Sequence, residues 1–279
     1  MGNSLDSIIF QPPRPSTYIP EDLAESIRFA QSGSDRLAYL VRRTRQAPLV
    51  LVFYSHGNAE DLGGVDRMIA ELSSDLGALG LPNAVVAYDY SGYGQSSGRP
   101  SEATVFRNAE DVLRGAMEEF KLPPERVVVW GRSLGSGPTC YLAHRQAKRS
   151  QRPFAGVVLQ SPLLSVFRVG LNSTSYYRWP LDQFCNYERV RDGLGDDTKV
   201  FVIHGTVDQV VPFSHGKTIC ECIPEHNRHP PLFVKGAGHN DVEWRLHRHG
   251  PDGTGHHANK DLNRFVAEFI HSVFAAGTK

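Results

Sequence analysis

Two glycines bracket a serine in Gly131-Arg132-Ser133-Leu134-Gly135, between an apolar run, Val127-Val128-Val129-Trp130, and a helix-compatible stretch from Gly137 to Lys148. A serine hydroxyl is a weak nucleophile at neutral pH and needs a base to take its proton. A tight strand-to-helix turn lifts such a hydroxyl clear of a sheet edge, where a base can reach it. The flanking glycines let neighbouring backbone approach without a Cβ clash. Gly94-Gln95-Ser96-Ser97-Gly98 matches the same pattern, but it lies in loop on both sides. No helix follows Ser96, and Pro100 biases Arg99 away from helical angles. Context therefore selects Ser133 as the nucleophile and leaves Ser96 as a loop residue.

The base in turn needs an anion that fixes its tautomer. A nucleophile on this kind of turn takes its partners in the chain order serine, acid, histidine. Asp208 follows Val200-Phe201-Val202-Ile203 and the turn His204-Gly205-Thr206-Val207, and His239 follows Leu232-Phe233-Val234 and the turn Lys235-Gly236-Ala237-Gly238. The rivals fit less well. His56 precedes the serine, His204 precedes the acid, and His215, His226 and His229 fall in a helix or loop before the last strand. Asp241 is two residues from His239, and Asp182 lies in an insertion. A purely structural role for Asp208 would be to cap a helix starting near Pro212. Two backbone N–H groups are expected to hold the oxyanion: that of Leu134, after the nucleophile, and that of Asn58 in Ser55-His56-Gly57-Asn58-Ala59. This chemistry is acyl transfer to water and calls for no cofactor and no metal.

Such groups must be positioned by strands. Leu49 to Tyr54, Ala84 to Tyr88, Val127 to Trp130, Gly156 to Leu159, Val200 to Ile203 and Leu232 to Val234 are continuous apolar runs. Runs without polar alternation are strands buried on both faces, as in parallel sheets covered by helices. Ser26 to Ala30 and Arg36 to Val41 read as weaker early strands. Helical spacing appears from Asp61 to Leu79, from Glu102 to Phe120 with Ser101 as N-cap, and from Asn259 to Phe274. The alternation predicts an α/β doubly wound, mostly parallel sheet with helices on both faces, with the chemistry just beyond the carboxyl ends of the strands.

Residues 1–20, rich in proline, read as an extended arm onto a single domain spanning 21–279. Residues 162–198 hold Phe167, Tyr176, Tyr177, Trp179, Phe184 and Tyr187 and form an insertion, read either as a small aromatic-lined cap or as packing onto the sheet. The His-rich segment within 246–258 reads as a solvated loop.

The chain has 279 residues, 40% of them hydrophobic and 22% charged, and Lys+Arg equal Asp+Glu at 30 each. Zero formal charge gives no support to a nucleic-acid partner. Four cysteines, Cys140, Cys185, Cys220 and Cys222, of which only the last two are close and not at a usual zinc spacing, read as reduced cytosolic thiols. No apolar stretch reaches the length of a membrane span, and no secretory segment opens the chain. Met1-Gly2-Asn3-Ser4-Leu5-Asp6-Ser7 starts like a myristoylation signal but places Asp6 where Ser or Thr is wanted, so both an unmodified tail and an acylated Gly2 stay open.

Several motifs recur together: His56-Gly57-Asn58-Ala59, Tyr88-Asp89-Tyr90-Ser91-Gly92-Tyr93-Gly94, Ser97-Gly98-Arg99-Pro100-Ser101, His204-Gly205-Thr206 with Asp208, Phe213-Ser214-His215-Gly216, and Gly236-Ala237-Gly238-His239-Asn240-Asp241. Over residues 48–245 they resemble the α/β-hydrolase-domain protein depalmitoylases, a group of membrane-associated serine hydrolases. The resemblance implies the α/β-hydrolase fold and Ser133, Asp208 and His239 as catalytic triad. It also implies hydrolysis of palmitoyl thioesters, with S-acylated proteins as partners and peripheral contact at the cytosolic face of membranes. The chain departs from the family in having no cysteine before Cys140, in Arg132 where relatives carry an uncharged polar residue, and in the His-rich segment, which looks like an insertion. A general carboxylesterase or peptidase of the same fold is the alternative within enzymes. A non-catalytic binding protein that kept the fold is the alternative outside them.

Overall fold

The computed structural model describes residues 4–23, 26–150, 152–175, 179–254 and 261–275. The apolar runs become strands β1 (Ile27–Ser32), β2 (Asp35–Arg43), β3 (Val50–Ser55), β4 (Asn83–Tyr88), β5 (Val127–Arg132), β6 (Gly156–Gln160), β7 (Lys199–Gly205) and β8 (Leu232–Val234). They form one eight-stranded sheet in the order β1-β2-β4-β3-β5-β6-β7-β8. The β1–β2 and β2–β4 pairs are antiparallel and the remaining pairs parallel. The sheet is thus the mostly parallel α/β arrangement that the alternation of runs and helices predicts.

Helices α1 (Ser4–Ile9), α2 (Leu62–Ala78), α3 (Glu102–Phe120), α4 (Ser136–Arg149), α5 (Val166–Gly170), α6 (Asn186–Arg191), α7 (Phe213–Cys222), α8 (Val242–His249) and α9 (Leu262–Ala275) complete the described elements. Alternate residues of each strand project to opposite faces. Leu51, Phe53, Val127, Val129, Val157 and Leu159 therefore pack with α3 and α4, while Val52, Tyr54, Val128, Trp130 and Val158 pack with α2 and α9. On α2, Leu62, Val65, Ile69, Leu72 and Leu76 repeat at three- and four-residue spacing and are all buried. Each such side chain contributes about 1.5–3 kcal/mol by leaving water. The Ser101 cap is present: its hydroxyl accepts from the Thr104 N–H, and the Thr104 hydroxyl returns a contact to the Ser101 N–H.

Two sequence expectations change. The arm is not extended throughout, because Ser4–Ile9 is helical and Pro20–Leu23 forms a 3-10 turn. It is also bonded down: Tyr18 Oη donates to Asp89 at 2.6 Å, the Thr17 N–H donates to Asp61 at 2.8 Å, and Phe10 meets Phe184 edge to face. The His-rich segment is not loop at its start, since His247, Arg248 and His249 form the last turn of α8. Basic side chains there suit the negative end of the helix dipole, and Gly250 with φ of 67° closes the helix. Of the insertion's aromatics, Phe184 and Tyr187 are buried against the sheet-side core. Tyr176, Tyr177, Gly2, His256 and His257 lie outside the described residues. Among the described residues no helix is long and apolar enough to cross a membrane.

Candidate active site

Ser133 sits immediately after β5, opening a 3-10 turn, Ser133–Gly135, that leads into α4. Its φ is 53°, a left-handed conformation that a serine adopts only when its surroundings dictate it. Packing dictates it here. A Cβ on Gly135 would lie 2.0 Å from the Ser55 carbonyl oxygen, and one on Gly131 would lie 2.2 Å from that of Gly135. Only glycine at both positions lets β3 and the turn approach this closely.

The turn presents Ser133 Oγ 3.1 Å from His239 Nε2, and His239 Nδ1 lies 2.7 Å from Asp208 Oδ2. The structure therefore brings the three expected residues together from β5, β7 and β8, although 106 positions separate Ser133 from His239. The chain of contacts can move a proton from Ser133 to His239 while Asp208 holds the other ring nitrogen. Asp208 is itself fixed: Oδ1 accepts from the N–H groups of Val210 and Val211, both at 2.9 Å. Burial opposes its ionisation, yet contacts from His204 and His239 outweigh burial and hold the carboxyl well below its usual range. His204 Nε2 donates to the Val211 carbonyl at 2.9 Å and lies 3.3 Å from Asp208 Oδ2. Asp208 therefore ties the turn before α7 as well as facing His239.

Leu134 is the second residue of the turn, so its N–H has no carbonyl partner within the helix that follows. Asn58 is placed by several contacts at once. The Gly57 carbonyl accepts from His56 Nδ1 at 2.8 Å. Across a planar trans peptide the Asn58 N–H points the other way, away from buried His56. Burial holds His56 below its ordinary pKa, and the carbonyl contact assigns its one proton to Nδ1. The Asn58 side chain accepts from Tyr93 Oη at 2.7 Å and from the Gln11 N–H at 2.9 Å, and donates to the Ile9 carbonyl at 2.6 Å. Tyr90 Oη donates to the His56 carbonyl at 2.6 Å.

Ser96, the serine of the second pentapeptide, is buried and tied. It accepts from the Ala38 N–H at 2.9 Å and donates to the Asp89 carbonyl at 3.0 Å. A cavity of about 630 Å³ opens at Ser133, with Tyr54, Asn58, Arg132 and His239 on its wall together with apolar Val65 and Met68. None of the insertion's described residues lines it, so the cap reading does not extend to this cavity. Among the described residues, no three His, Cys, Asp or Glu side chains group as metal ligands.

Gln11, Glu60, Tyr90, Tyr93 and His204 are neighbours of the site that sequence patterns alone do not identify. The motif Tyr88 to Gly94 carried a signal for the two tyrosines. Nothing in composition or periodicity pointed to Gln11 or Glu60.

The sequence model of the α/β hydrolase fold family matches residues 50–178. The α/β-hydrolase domain-containing protein aho-3 of Caenorhabditis elegans is 35% identical over 260 residues, covering 86% of this chain and 73% of that protein. Human α/β-hydrolase domain-containing protein 17B is 34% identical, covering 80% of this chain and 72% of that protein. For the mouse 17C protein the identity is 34%, with 79% of this chain and 64% of that protein covered. Among solved structures, an esterase of Pyrococcus furiosus superposes with a TM-score of 0.63 at 16% identity, covering 94% of this chain and 98% of that one. A monoglyceride lipase of Saccharomyces cerevisiae gives 0.62 at 13% identity, with 88% and 94% covered. At these identities the structural likeness speaks to the fold.

Proposed function

We propose, from the premise that this chain belongs to the α/β-hydrolase-domain protein family, that it is a serine hydrolase cleaving long-chain acyl thioesters, S-palmitoyl cysteine, on membrane-associated proteins. The hydrolase class follows from the family. The observation that carries the serine mechanism is the contact chain Ser133–His239–Asp208 behind a serine held at φ of 53°.

On this reading Ser133 Oγ attacks the acyl carbonyl and its proton passes to His239 Nε2. The N–H groups of Asn58 and Leu134 hold the oxyanion, with the first turn of α4 adding its positive end. The tetrahedral species collapses, the carbon–sulfur bond breaks, and the leaving thiolate takes the proton from His239. Water then attacks the acyl-enzyme with His239 as base, releasing fatty acid and Ser133. Asp208 keeps the proton of neutral His239 on Nδ1 and stabilises the imidazolium. The thioester substrate rests on the motif resemblance and on relatives in the same family. So does the proposed position at the cytosolic face of membranes.

The test is hydrolysis of an acyl-thioester series from butyryl to palmitoyl by wild type, Ser133→Ala and Ser96→Ala. Turnover of palmitoyl thioester, lost in Ser133→Ala and kept in a folded Ser96→Ala, supports the reading. Turnover of short chains only makes the protein a general esterase and removes the depalmitoylase assignment.

A further inference from the structure

Arg132, Glu60 and Asn240 tie together the three loops that carry the acyl-transfer groups. Arg132 ends β5, one residue before Ser133, and its side chain is only 15% exposed. Its Nη1 donates to Glu60 Oε1. Its Nη2 donates to Asn240 Oδ1 at 2.7 Å and to the His239 carbonyl at 3.4 Å. Glu60 Oε2 accepts the Gly57 N–H at 2.6 Å. A Cβ on Gly57 would lie 2.8 Å from Glu60 Oε2 and 3.2 Å from Arg132 Nη1, so the missing side chain leaves the space these contacts occupy. A continuous line of polar contacts thus runs from Gly57, which is bonded to the Asn58 nitrogen, through Glu60 and Arg132 to the loop of His239. It passes beside Ser133 without using a triad side chain.

Resting on the serine-hydrolase reading above, we propose that Arg132 and Glu60 form a positioning strap that sets the oxyanion loop and the His239 loop at their working separation around Ser133. The planar guanidinium fork suits the task, because its separate N–H groups hold carboxylate and amide oxygens on opposite loops at once. A lysine ammonium is a point charge without that fork. Misplacing reacting groups by about 1 Å costs on the order of 100-fold in rate, so loosening the strap lowers kcat. A side chain that merely contacted substrate in both ground and transition states would change KM and leave kcat alone.

The experiment measures kcat and KM for p-nitrophenyl butyrate with wild type, Arg132→Gln, Arg132→Lys, Glu60→Ala, Arg132→Gln/Glu60→Ala and Asn240→Ala, with Ser133→Ala as control and melting temperatures alongside. Arg132→Gln and Glu60→Ala are each expected to lower kcat by about 10-fold with KM within about twofold. The double variant should be no worse than the worse single, since the two residues act as one unit. Arg132→Lys keeps the charge and should rescue little. Asn240 is exposed, so Asn240→Ala leaves the fold intact and should lower kcat by about threefold. A kcat within twofold of wild type in Arg132→Gln overturns the strap, as does a KM rise at unchanged kcat or additive losses in the double variant. If Arg132→Gln does not fold, unchanged kcat in Glu60→Ala and Asn240→Ala overturns it. Activity surviving in Ser133→Ala defeats the serine-hydrolase reading, and the strap with it.

Discussion

Replacing Asp208 by asparagine changes one atom, and the structure dictates which way the new amide faces. Asp208 Oδ1 accepts from two backbone N–H groups, Val210 and Val211, each at 2.9 Å. An amide nitrogen cannot accept there, so the asparagine oxygen takes that position and the NH₂ replaces Oδ2. It then points at His239 Nδ1, 2.7 Å away, and at His204 Nε2, 3.3 Å away. His239 Nδ1 must become the acceptor, which moves the ring proton to Nε2. A protonated Nε2 cannot take the Ser133 proton. The expected loss is about 10⁴-fold in kcat, or roughly 5 kcal/mol of transition-state stabilisation. The assay is the ester or thioester rate of Asp208→Asn beside wild type, with circular dichroism and a melting curve to establish the fold. Retention of more than a tenth of wild-type kcat by a folded Asp208→Asn would refute the tautomer argument. Stability carries a second signature. Asp208 is depressed in the folded state, so it stabilises the fold above its unfolded pKa near 3.8, and that contribution is lost as pH falls below it. Asp208→Asn should remove this part of the acid sensitivity.

Other perturbations have equally definite outcomes. Burial raises Asp89 from 3.8 to about 7, so folding favours its protonated form; its contribution is full below 3.8 and is lost as pH rises through 7. Over that window the stability difference between Asp89→Asn and wild type should grow in favour of the variant by up to about 4 kcal/mol, read from urea unfolding at pH 4 and pH 8. Parallel curves would contradict the assignment. Gly135→Ala puts a Cβ 2.0 Å from the Ser55 carbonyl oxygen, so it should cost at least about 1–3 kcal/mol in denaturant unfolding and abolish turnover. Tyr93→Phe removes the hydroxyl that holds Asn58 at 2.7 Å. It should cost about 1 kcal/mol of stability and lower kcat more than it raises KM, as measured by thermal melts and steady-state kinetics.

Much of this was legible in the residues themselves. Short apolar runs without polar alternation, bounded by turn residues, read as doubly buried strands, and the helix at Glu102–Phe120 starts where expected because Ser101 carries a local capping signal. Ser133, Asp208 and His239 stood out because each follows an apolar run at a glycine turn and the three come in order. The same reasoning set Ser96 aside, and its two backbone partners give a structural reason for a buried serine there. What could not be read is tertiary. Glu60 and Arg132 are 72 positions apart, and ion pairs between loops leave no periodicity. The hold of Ile9 and Gln11 on Asn58 is likewise a long-range contact from a segment whose prolines suggested only extended chain. The helix reaching His249 was hidden because histidine is a weak helix former and the stop at Gly250 opens a glycine-rich run.

The central claim is that Ser133 is the activated nucleophile. A fluorophosphonate reacts with a serine only where a base takes its proton and an oxyanion site receives the phosphoryl oxygen. The decisive measurement is therefore the intact mass and peptide map of the protein after such treatment, for wild type and Ser133→Ala. One adduct per chain is expected, located on Ser133 and absent from Ser133→Ala. No adduct on the wild type, or an adduct on Ser96 or any other residue that persists in Ser133→Ala, would contradict it.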